Sequence, residues 1–277
     1  MIDLHTHTTA SDGRCTPSEL VARASQAGVR VLGVTDHDTV AGLAEAAAAC
    51  AAADIEFVPG IEITAVLDEA DVHVLGYFLD SRSPELTAFL SEQRRCRIDR
   101  VRQMIERLRT SGIALDADEV VRPAIDDTSR ATGRPWIARA LVAAGHVDTT
   151  GEAFDRWLGR GQSAFVPRCA ASPAEVFARI HEAGGLASLA HPLLLGRDAS
   201  IAAFAAAGLD ALEAYHPDHD GPATARYLAL AEDLQLAVSG GSDYHADHSH
   251  GSTAPGSASL PQAAFDLLRS RRSPPAR

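Results

Sequence analysis

The sequence contains no lysine, so arginine alone supplies its 25 basic side chains. Although 46% of the residues are hydrophobic, no apolar run approaches the roughly 18 residues of a membrane-spanning helix, and we expect no membrane contact. The N-terminus also lacks the basic start and apolar stretch of a signal peptide, which predicts a cytoplasmic location. Four scattered cysteines, without any CxxC pair, argue against a disulfide framework or a zinc knuckle.

Acidic residues outnumber basic ones by 37 to 25, and the net charge of −12 speaks against general nucleic-acid binding. The charge is unevenly distributed. Residues 82–168 carry 15 arginines against 12 acidic residues, whereas the rest of the chain carries 10 against 25. The acidic body offers no continuous basic track for a nucleic-acid strand, so we expect no long nucleic acid as a partner.

Seven short apolar runs rich in β-branched residues alternate with alanine-rich segments, a pattern typical of βα units around a parallel sheet. The runs cover residues 2–4, 29–34, 55–58, 72–78, 186–190, 209–214 and 236–239. The sequence therefore predicts an α/β protein.

The alternation stops between residues 82 and 169, where the spacing of Ile98, Val101 and Ile105 predicts a helix. This spacing places Arg97 and Arg100 off the buried face of that helix. We therefore expect a body made of residues 1–81 and 170–277, and a helical insertion at residues 82–169.

A histidine or a carboxylate lies at or near the end of every predicted strand. These residues are His5, His7, Asp36, His37, Asp38, Glu62, His73, His191, Glu213, His216, Asp243 and His245. A single histidine is more often an ordinary core or surface residue, but core packing gives no reason to gather so many polar groups at one face. A shared metal centre gives such a reason, since imidazole and carboxylate are suitable ligands for zinc, manganese and iron.

Six motifs in order along the chain resemble the polymerase and histidinol phosphatase (PHP) domain family. They are DLHTHTTASDG, GVTDHDT, GIEIT, His73, LAHP and GSDYH. With its helical insertion between His73 and His191, the chain looks most like the branch of 3′,5′-nucleoside bisphosphate phosphatases and related small RNA-trimming 5′-exonucleases. The resemblance implies a distorted (β/α)7 barrel of PHP type with an α-helical insertion, or cap, domain.

The resemblance also implies three divalent metal ions per chain, with manganese as the first choice and zinc or iron(II) as alternatives. The implied ligands are His5, His7, Glu62 and Asp243 for the first ion, Glu62, His73 and His191 for the second, and Asp12, His37 and His245 for the third. Three such ions against three carboxylates leave a charge of about +3, which suits an anion. A metal-bound hydroxide would then attack the phosphorus of a phosphate ester.

Arginines of the insertion are candidates for substrate binding. Arg97, Arg100 and Arg134 could form a pocket of forked donors for a second phosphate or a sugar edge. Arg134 is the preferred candidate, because Pro135 and Trp136 fix its backbone next to a stacking ring.

Further polar residues near the strand ends have open roles. His216 is either a substrate contact or a general acid for the leaving group. Asp36 and Asp38 could orient metal-bound imidazoles, while Asp38 could instead cap a helix. We interpret His219, His248 and His250 as loop residues.

We expect a phosphomonoesterase that acts on a small phosphorylated nucleotide, above all a 3′,5′-nucleoside bisphosphate hydrolysed to the 5′-monophosphate and phosphate. Two alternatives are enzymes: a 5′→3′ exonuclease on short RNA and a histidinol-phosphate phosphatase. A third is a non-catalytic, metal-stabilised module. The last predicts gaps among the implied ligands, and the sequence has none.

Overall fold

The computed structural model describes residues 1–126, 133–168, 171–246 and 253–272. In these ranges, seven strands form one sheet in which they follow one another in chain order. The strands are β1 (Ile2–Asp3), β2 (Val31–Val34), β3 (Glu56–Leu67), β4 (Ala70–Tyr77), β5 (Leu186–Leu189), β6 (Ala211–Tyr215) and β7 (Ala237–Gly240).

Helices follow most of the strands. They are α1 (Pro17–Gln26), α2 (Leu43–Ala52), α3 (Pro84–Thr110), α4 (Ala117–Asp126), α5 (Arg134–Ala143), α6 (Thr150–Ala153), α7 (Pro173–Glu182), α8 (Pro192–Leu195), α9 (Ile201–Ala206), α10 (Gly221–Asp233) and α11 (Gln262–Ser270). Two begin with a capping box, in which Thr16 pairs with Glu19 and Ser172 with Glu175. No helix among these is both long enough and apolar enough to cross a membrane.

The sheet is nearly closed into a barrel. The N–H of Leu4, just after β1, donates to the carbonyl oxygen of Gly240 in β7 at 3.1 Å, and His7 donates to Tyr244 at 2.9 Å. Strands β2, β5 and β6 are buried almost throughout, as expected for strands covered on both faces. The predicted seven-stranded α/β barrel is confirmed.

The prediction of a wholly parallel sheet is wrong for β4, which pairs antiparallel with both β3 and β5. Strands β3 and β4 form a long hairpin, so GIEIT lies inside β3 rather than after it. His73 is the fourth residue of β4. Because β4 runs in the opposite direction, the beginning of this strand lies at the edge where the parallel strands end.

The chain divides into two compact units, one made of Met1–Phe89 and Ala171–Arg277 and the other of Leu90–Ala170. The second unit has its own apolar core, which includes Val101, Met104, Leu108, Ile137 and Leu141. A role of this unit as a cap stays a prediction.

Candidate metal centre

Loops and strands of the first unit bring the implied metal ligands together at one end of the sheet. His5 and His7 follow β1, His37 follows β2, and His191 follows β5. His37 also forms a parallel bridge with Glu62 of β3. The convergence follows from strand direction, since the carboxyl ends of parallel strands meet at one edge of the sheet.

Among the residues that the structure describes, three groups of side chains have ligand atoms within 4.8 Å of one another. The first contains His5, His7, Glu62 and Asp243; the second contains His37, Glu62 and His73; the third contains His7, Asp12, His37 and His245. The first group has the same members as the set that the family resemblance implies. The other two differ from the implied sets, because His37 joins the second and His7 joins the third.

Glu62 is the centre of the cluster and is 1% exposed. Its Oε2 lies 3.3 Å from His5 Nε2, 3.2 Å from His7 Nε2 and 3.2 Å from His37 Nδ1. Its Oε1 lies 2.8 Å from His73 Nδ1 and 3.2 Å from His191 Nε2. His191 falls outside the three groups. It nevertheless contacts Glu62, which is a member of the second group.

Several of these atoms are buried and have no hydrogen bond within the described part of the chain. They are both ring nitrogens of His7, Nδ1 of His37 and of His73, and Oδ1 of Asp243. Buried polar atoms nearly always have a hydrogen-bond partner. Clustered ligand atoms without such partners fit divalent metal ions, for which imidazole and carboxylate are suitable ligands.

The surroundings of the histidines set their protonation without metal. Burial lowers the pKa of His7, but the carboxylates of Asp243 and Glu62 outweigh it and raise this pKa to about 10. Burial lowers the pKa of His37 to about 4. A metal ion therefore competes with protons at His7, whereas His37 is neutral and ready to act as a ligand at pH 7.

Comparisons with known proteins agree with this geometry. A family model described as the PHP domain matches residues 3–168 of the chain. The chain belongs to the PHP domain family.

Related proteins extend the similarity beyond the residues that the family model matches. A 5′-3′ exoribonuclease of Haemophilus influenzae is 37% identical over 248 residues, which cover 88% of this chain and 89% of that protein. A 3′,5′-nucleoside bisphosphate phosphatase of Chromobacterium violaceum is 36% identical over 250 residues, which cover 88% of this chain and 87% of that protein.

A solved structure from Bifidobacterium adolescentis, assigned as a metal-dependent phosphoesterase, superposes with a TM-score of 0.79 at 32% identity. The match covers 98% of this chain and 96% of that one. This chain and that solved structure thus share both fold and length.

Asp36 holds the loop of the PHP barrel that carries His7 and Asp12. Its Oδ1 accepts hydrogen bonds from the Thr8 N–H and the Ser11 hydroxyl, both at 2.7 Å, and its Oδ2 accepts one from the Thr8 hydroxyl at 2.7 Å. Asp36 therefore orders the loop backbone and so acts on the histidines indirectly.

Asp38 has a similar role on the other side of His37. Its carboxylate accepts hydrogen bonds from the N–H and the hydroxyl of Thr64, at 3.1 and 3.3 Å, and thereby ties the His37 loop to β3. The alternative of a helix cap at Asp38 is wrong, since the next helix, α2, has Gly42 at its N-cap and no side-chain cap.

His216 is fully buried and lies behind Asp243. Its Nδ1 accepts a hydrogen bond from the Asp218 N–H at 3.1 Å, so a neutral ring carries its proton on Nε2, which lies 3.5 Å from Asp243 Oδ2. This burial favours a role in orienting Asp243 over the predicted substrate contact or general acid.

Sequence reasoning missed the role of two buried acids. Asp3 accepts hydrogen bonds from the Ser242 N–H and hydroxyl and from the Gly256 N–H, at 2.7–2.8 Å, and thereby joins β1 to the segment that carries Asp243. Glu213, noted only as a strand-end carboxylate, contacts His5. The only available signal was their place in strands next to histidines, which does not distinguish a ligand from a residue that holds one.

His219 lies in a loop as predicted, but it is 8% exposed, and its Nδ1 lies 3.0 Å from the Ala214 carbonyl oxygen. His248 and His250 lie outside the described residues.

The arginines of the second unit have varied surroundings. Arg100 is only 8% exposed, and its Nε donates to the Val166 carbonyl oxygen at 2.8 Å. The prediction that Arg100 lies off the buried face is therefore wrong, because this backbone carbonyl satisfies the guanidinium inside the unit. Arg97 is half-buried on the same helix.

Arg134 begins α5, and its guanidinium carbon lies 5.5 Å from the centre of the Phe154 ring and 5.9 Å from that of Phe165. The centre of the Trp136 ring lies 6.0 Å from the guanidinium carbon of Arg139. Substrate contact by Arg134 stays a prediction.

Proposed function

We propose that this PHP-family hydrolase is a metal-dependent phosphomonoesterase whose substrate is a 3′,5′-nucleoside bisphosphate, which it converts to the 5′-monophosphate and inorganic phosphate. The observation that carries the proposal is the convergence of five imidazoles on one buried carboxylate, Glu62, which belongs to two of the three groups of ligand atoms. Similarity over most of the chain to a phosphatase of that specificity supports the choice of substrate.

The proposal includes three ions per chain, manganese as the native metal and a cytoplasmic location. His5, His7, Glu62 and Asp243 would hold one ion; Glu62, His73 and His191 a second; and Asp12, His37 and His245 a third. Divalent ions bound there would supply Lewis-acid activation of water and neutralisation of the phosphate charge.

The protein's own residues prepare these ligands by fixing protons. The ring of His245 donates from Nδ1 to the Asp243 carbonyl oxygen at 2.9 Å, so Nε2 carries the lone pair that faces Asp12. His216 holds Asp243 Oδ2 through its Nε2 proton. These two ligands are therefore oriented before substrate binds, which reduces the reorganisation that the reaction needs.

A second candidate is 5′→3′ exonuclease activity on short RNA, because a relative with 37% identity is named a 5′-3′ exoribonuclease. The charge distribution favours the small substrate. The chain outside residues 82–168 carries 10 arginines against 25 acidic residues, which disfavours binding of a long polyanion.

A substrate panel separates the two activities. Manganese-loaded protein is incubated with a 3′,5′-nucleoside bisphosphate, a nucleoside 5′-monophosphate, histidinol phosphate and a short 5′-phosphorylated RNA. We expect rapid release of inorganic phosphate from the bisphosphate. Release of mononucleotides from RNA, with no phosphate from the bisphosphate, would establish the exonuclease instead, and the Glu62→Gln variant controls for contaminating enzymes.

A further inference from the structure

Glu213 is the middle residue of β6, is 0% exposed, and has a partner at each of its two oxygens. Its Oε1 is 3.0 Å from Nδ1 of His5, and its Oε2 accepts the backbone N–H of His191 at 2.6 Å. These two partners follow different strands, β1 and β5. One carboxylate thus connects a histidine of the first ligand set with a histidine of the second.

The contact with His5 determines which nitrogen of that ring can bind a metal. A carboxylate oxygen can only accept, so the hydrogen on this side of the ring is on Nδ1. Nε2 then faces the other acids, 3.3 Å from Glu62 Oε2 and 3.3 Å from Asp243 Oδ1. Without Glu213 the ring could turn or carry its proton on Nε2 instead.

The contact with His191 holds an unusual backbone. His191 has φ of 26° and ψ of 60°, a region that residues other than glycine rarely adopt. Strained conformations persist only where surrounding interactions hold them. The N–H bound by Glu213 belongs to this residue, whose Nε2 lies 3.2 Å from Glu62 Oε1.

We propose that Glu213 is a positioning residue that couples the first and second metal sites, because it fixes the ring of His5 and the backbone of His191 with its two oxygens. This inference rests on the proposed function for the identity of the metal ligands. It assigns Glu213 itself no contact with metal or substrate.

Glu213→Gln is the direct test, because it keeps the volume of the side chain and removes one of the two acceptors. The glutamine amide has a single oxygen, so either His5 or His191 faces an N–H₂ group. We expect the affinities for the first and second ions to fall together, each about 10–100-fold, as is typical when a residue behind a metal ligand is lost.

Asp210→Asn is a matched control. Asp210 is the residue just before β6, the strand that contains Glu213. The Asp210 carboxylate also accepts from a histidine and a backbone N–H, those of His181 at 2.7 Å and Ala187 at 2.8 Å. Both bonds end on Oδ2, so this variant removes the negative charge from a comparable pair of contacts that lies away from the metal ligands. We expect lower resistance to urea and unchanged metal affinity.

The full-length proteins are stripped of metal and titrated with Mn²⁺ in a calorimeter, and their Co²⁺ complexes are compared by visible absorption at saturating metal. A loss at two sites and an altered Co²⁺ spectrum in Glu213→Gln, with both unchanged in Asp210→Asn, support the proposal. Wild-type affinities and spectrum in folded Glu213→Gln overturn it.

Should circular dichroism show that Glu213→Gln is unfolded, Glu213→Asp takes its place. The aspartate side chain is shorter by one methylene, so its carboxylate is drawn back from His5 and His191. We expect the same loss of metal affinity at both sites. Unchanged affinities would overturn the proposal. If the wild-type protein itself binds no metal, the proposed function fails, an outcome distinct from failure of the Glu213 proposal alone.

Discussion

Replacement of Glu62 by glutamine should strongly weaken binding of the metal ions that Glu62 contacts while it leaves the shape of the centre intact. Glu62 lies within 3.3 Å of five imidazole rings. The imidazoles of His37, His73 and His5 outweigh the effect of burial and hold the pKa of this carboxyl well below its usual value. Glu62 is therefore charged at neutral pH, and the substitution removes a full negative charge.

The size of the effect follows from distance. In the two groups that contain Glu62, the ligand atoms lie within 4.8 Å of one another, so a cation held by either group would lie within that distance of Glu62. Two unit charges about 4 Å apart interact by about 4 kcal/mol at an effective dielectric constant near 20. Affinity for each ion that Glu62 contacts should therefore fall by about 10³-fold or more.

Calorimetric titration of the metal-free protein with Mn²⁺ measures this loss, and phosphate release measures its consequence. Glu56→Gln is the control, because Glu56 begins the same strand, β3, but forms an exposed ion pair with Arg269 at 3.0 Å. Glu62→Gln with the affinity and stoichiometry of the wild type would refute the assignment of Glu62 as the shared ligand.

Four other predictions concern the barrel, the second unit and the metal. Asp3→Ala leaves the N–H groups of Ser242 and Gly256 without their acceptor, which costs about 1–3 kcal/mol for each group. The free energy of unfolding, measured in urea, should therefore fall by about 2–6 kcal/mol, and a fall below about 1 kcal/mol would contradict this. The hydrogen bond that His181 donates to the Asp210 carboxylate raises the pKa of His181, so this pair stabilises the fold below the unfolded pKa of about 6.5 and loses that effect as pH rises through the raised folded pKa. The difference in unfolding free energy between wild type and His181→Ala should shrink as pH rises, and a difference that grows with pH would be inconsistent with this account. Arg134→Ala should raise KM for a bisphosphate far more than for p-nitrophenyl phosphate, whereas equal changes would show that Arg134 does not bind the second phosphate. Mn²⁺ at about 100 times its Kd should stabilise the protein by about 2.7 kcal/mol per site, which raises Tm by about 5–10 °C; a Tm that ignores Mn²⁺ would argue against binding to the folded state.

The sequence predicts most of the barrel because strand, turn and cap signals are local. Thr16–Glu19 and Ser172–Glu175 mark two helix starts through the spacing of a few residues. The direction of β4 was missed because an apolar run reads alike in either direction. The length of β3 was underestimated at Pro59 and Gly60, residue types that ordinarily break strands but here lie inside one.

At the candidate site, the sequence reveals the residue types but not their contacts. Asp12 is brought beside His37 and His245, at 3.7 and 3.3 Å, from distant parts of the chain. The burial of Arg100 and the orientation of Glu213 depend on atoms far away in sequence, Val166 and His5 respectively. No local periodicity encodes such contacts, so only the folded chain shows them.

The central claim is that metal held by these residues is required for hydrolysis of a phosphate ester. The most direct test measures phosphate release from a 3′,5′-nucleoside bisphosphate by a single protein preparation. The measurement is made before chelation, after chelation, and after Mn²⁺ is returned in steps. Mass spectrometry determines the bound metal at each step. The account predicts that activity disappears with the metal and returns in proportion to the metal bound. Full activity in the metal-free protein would contradict it.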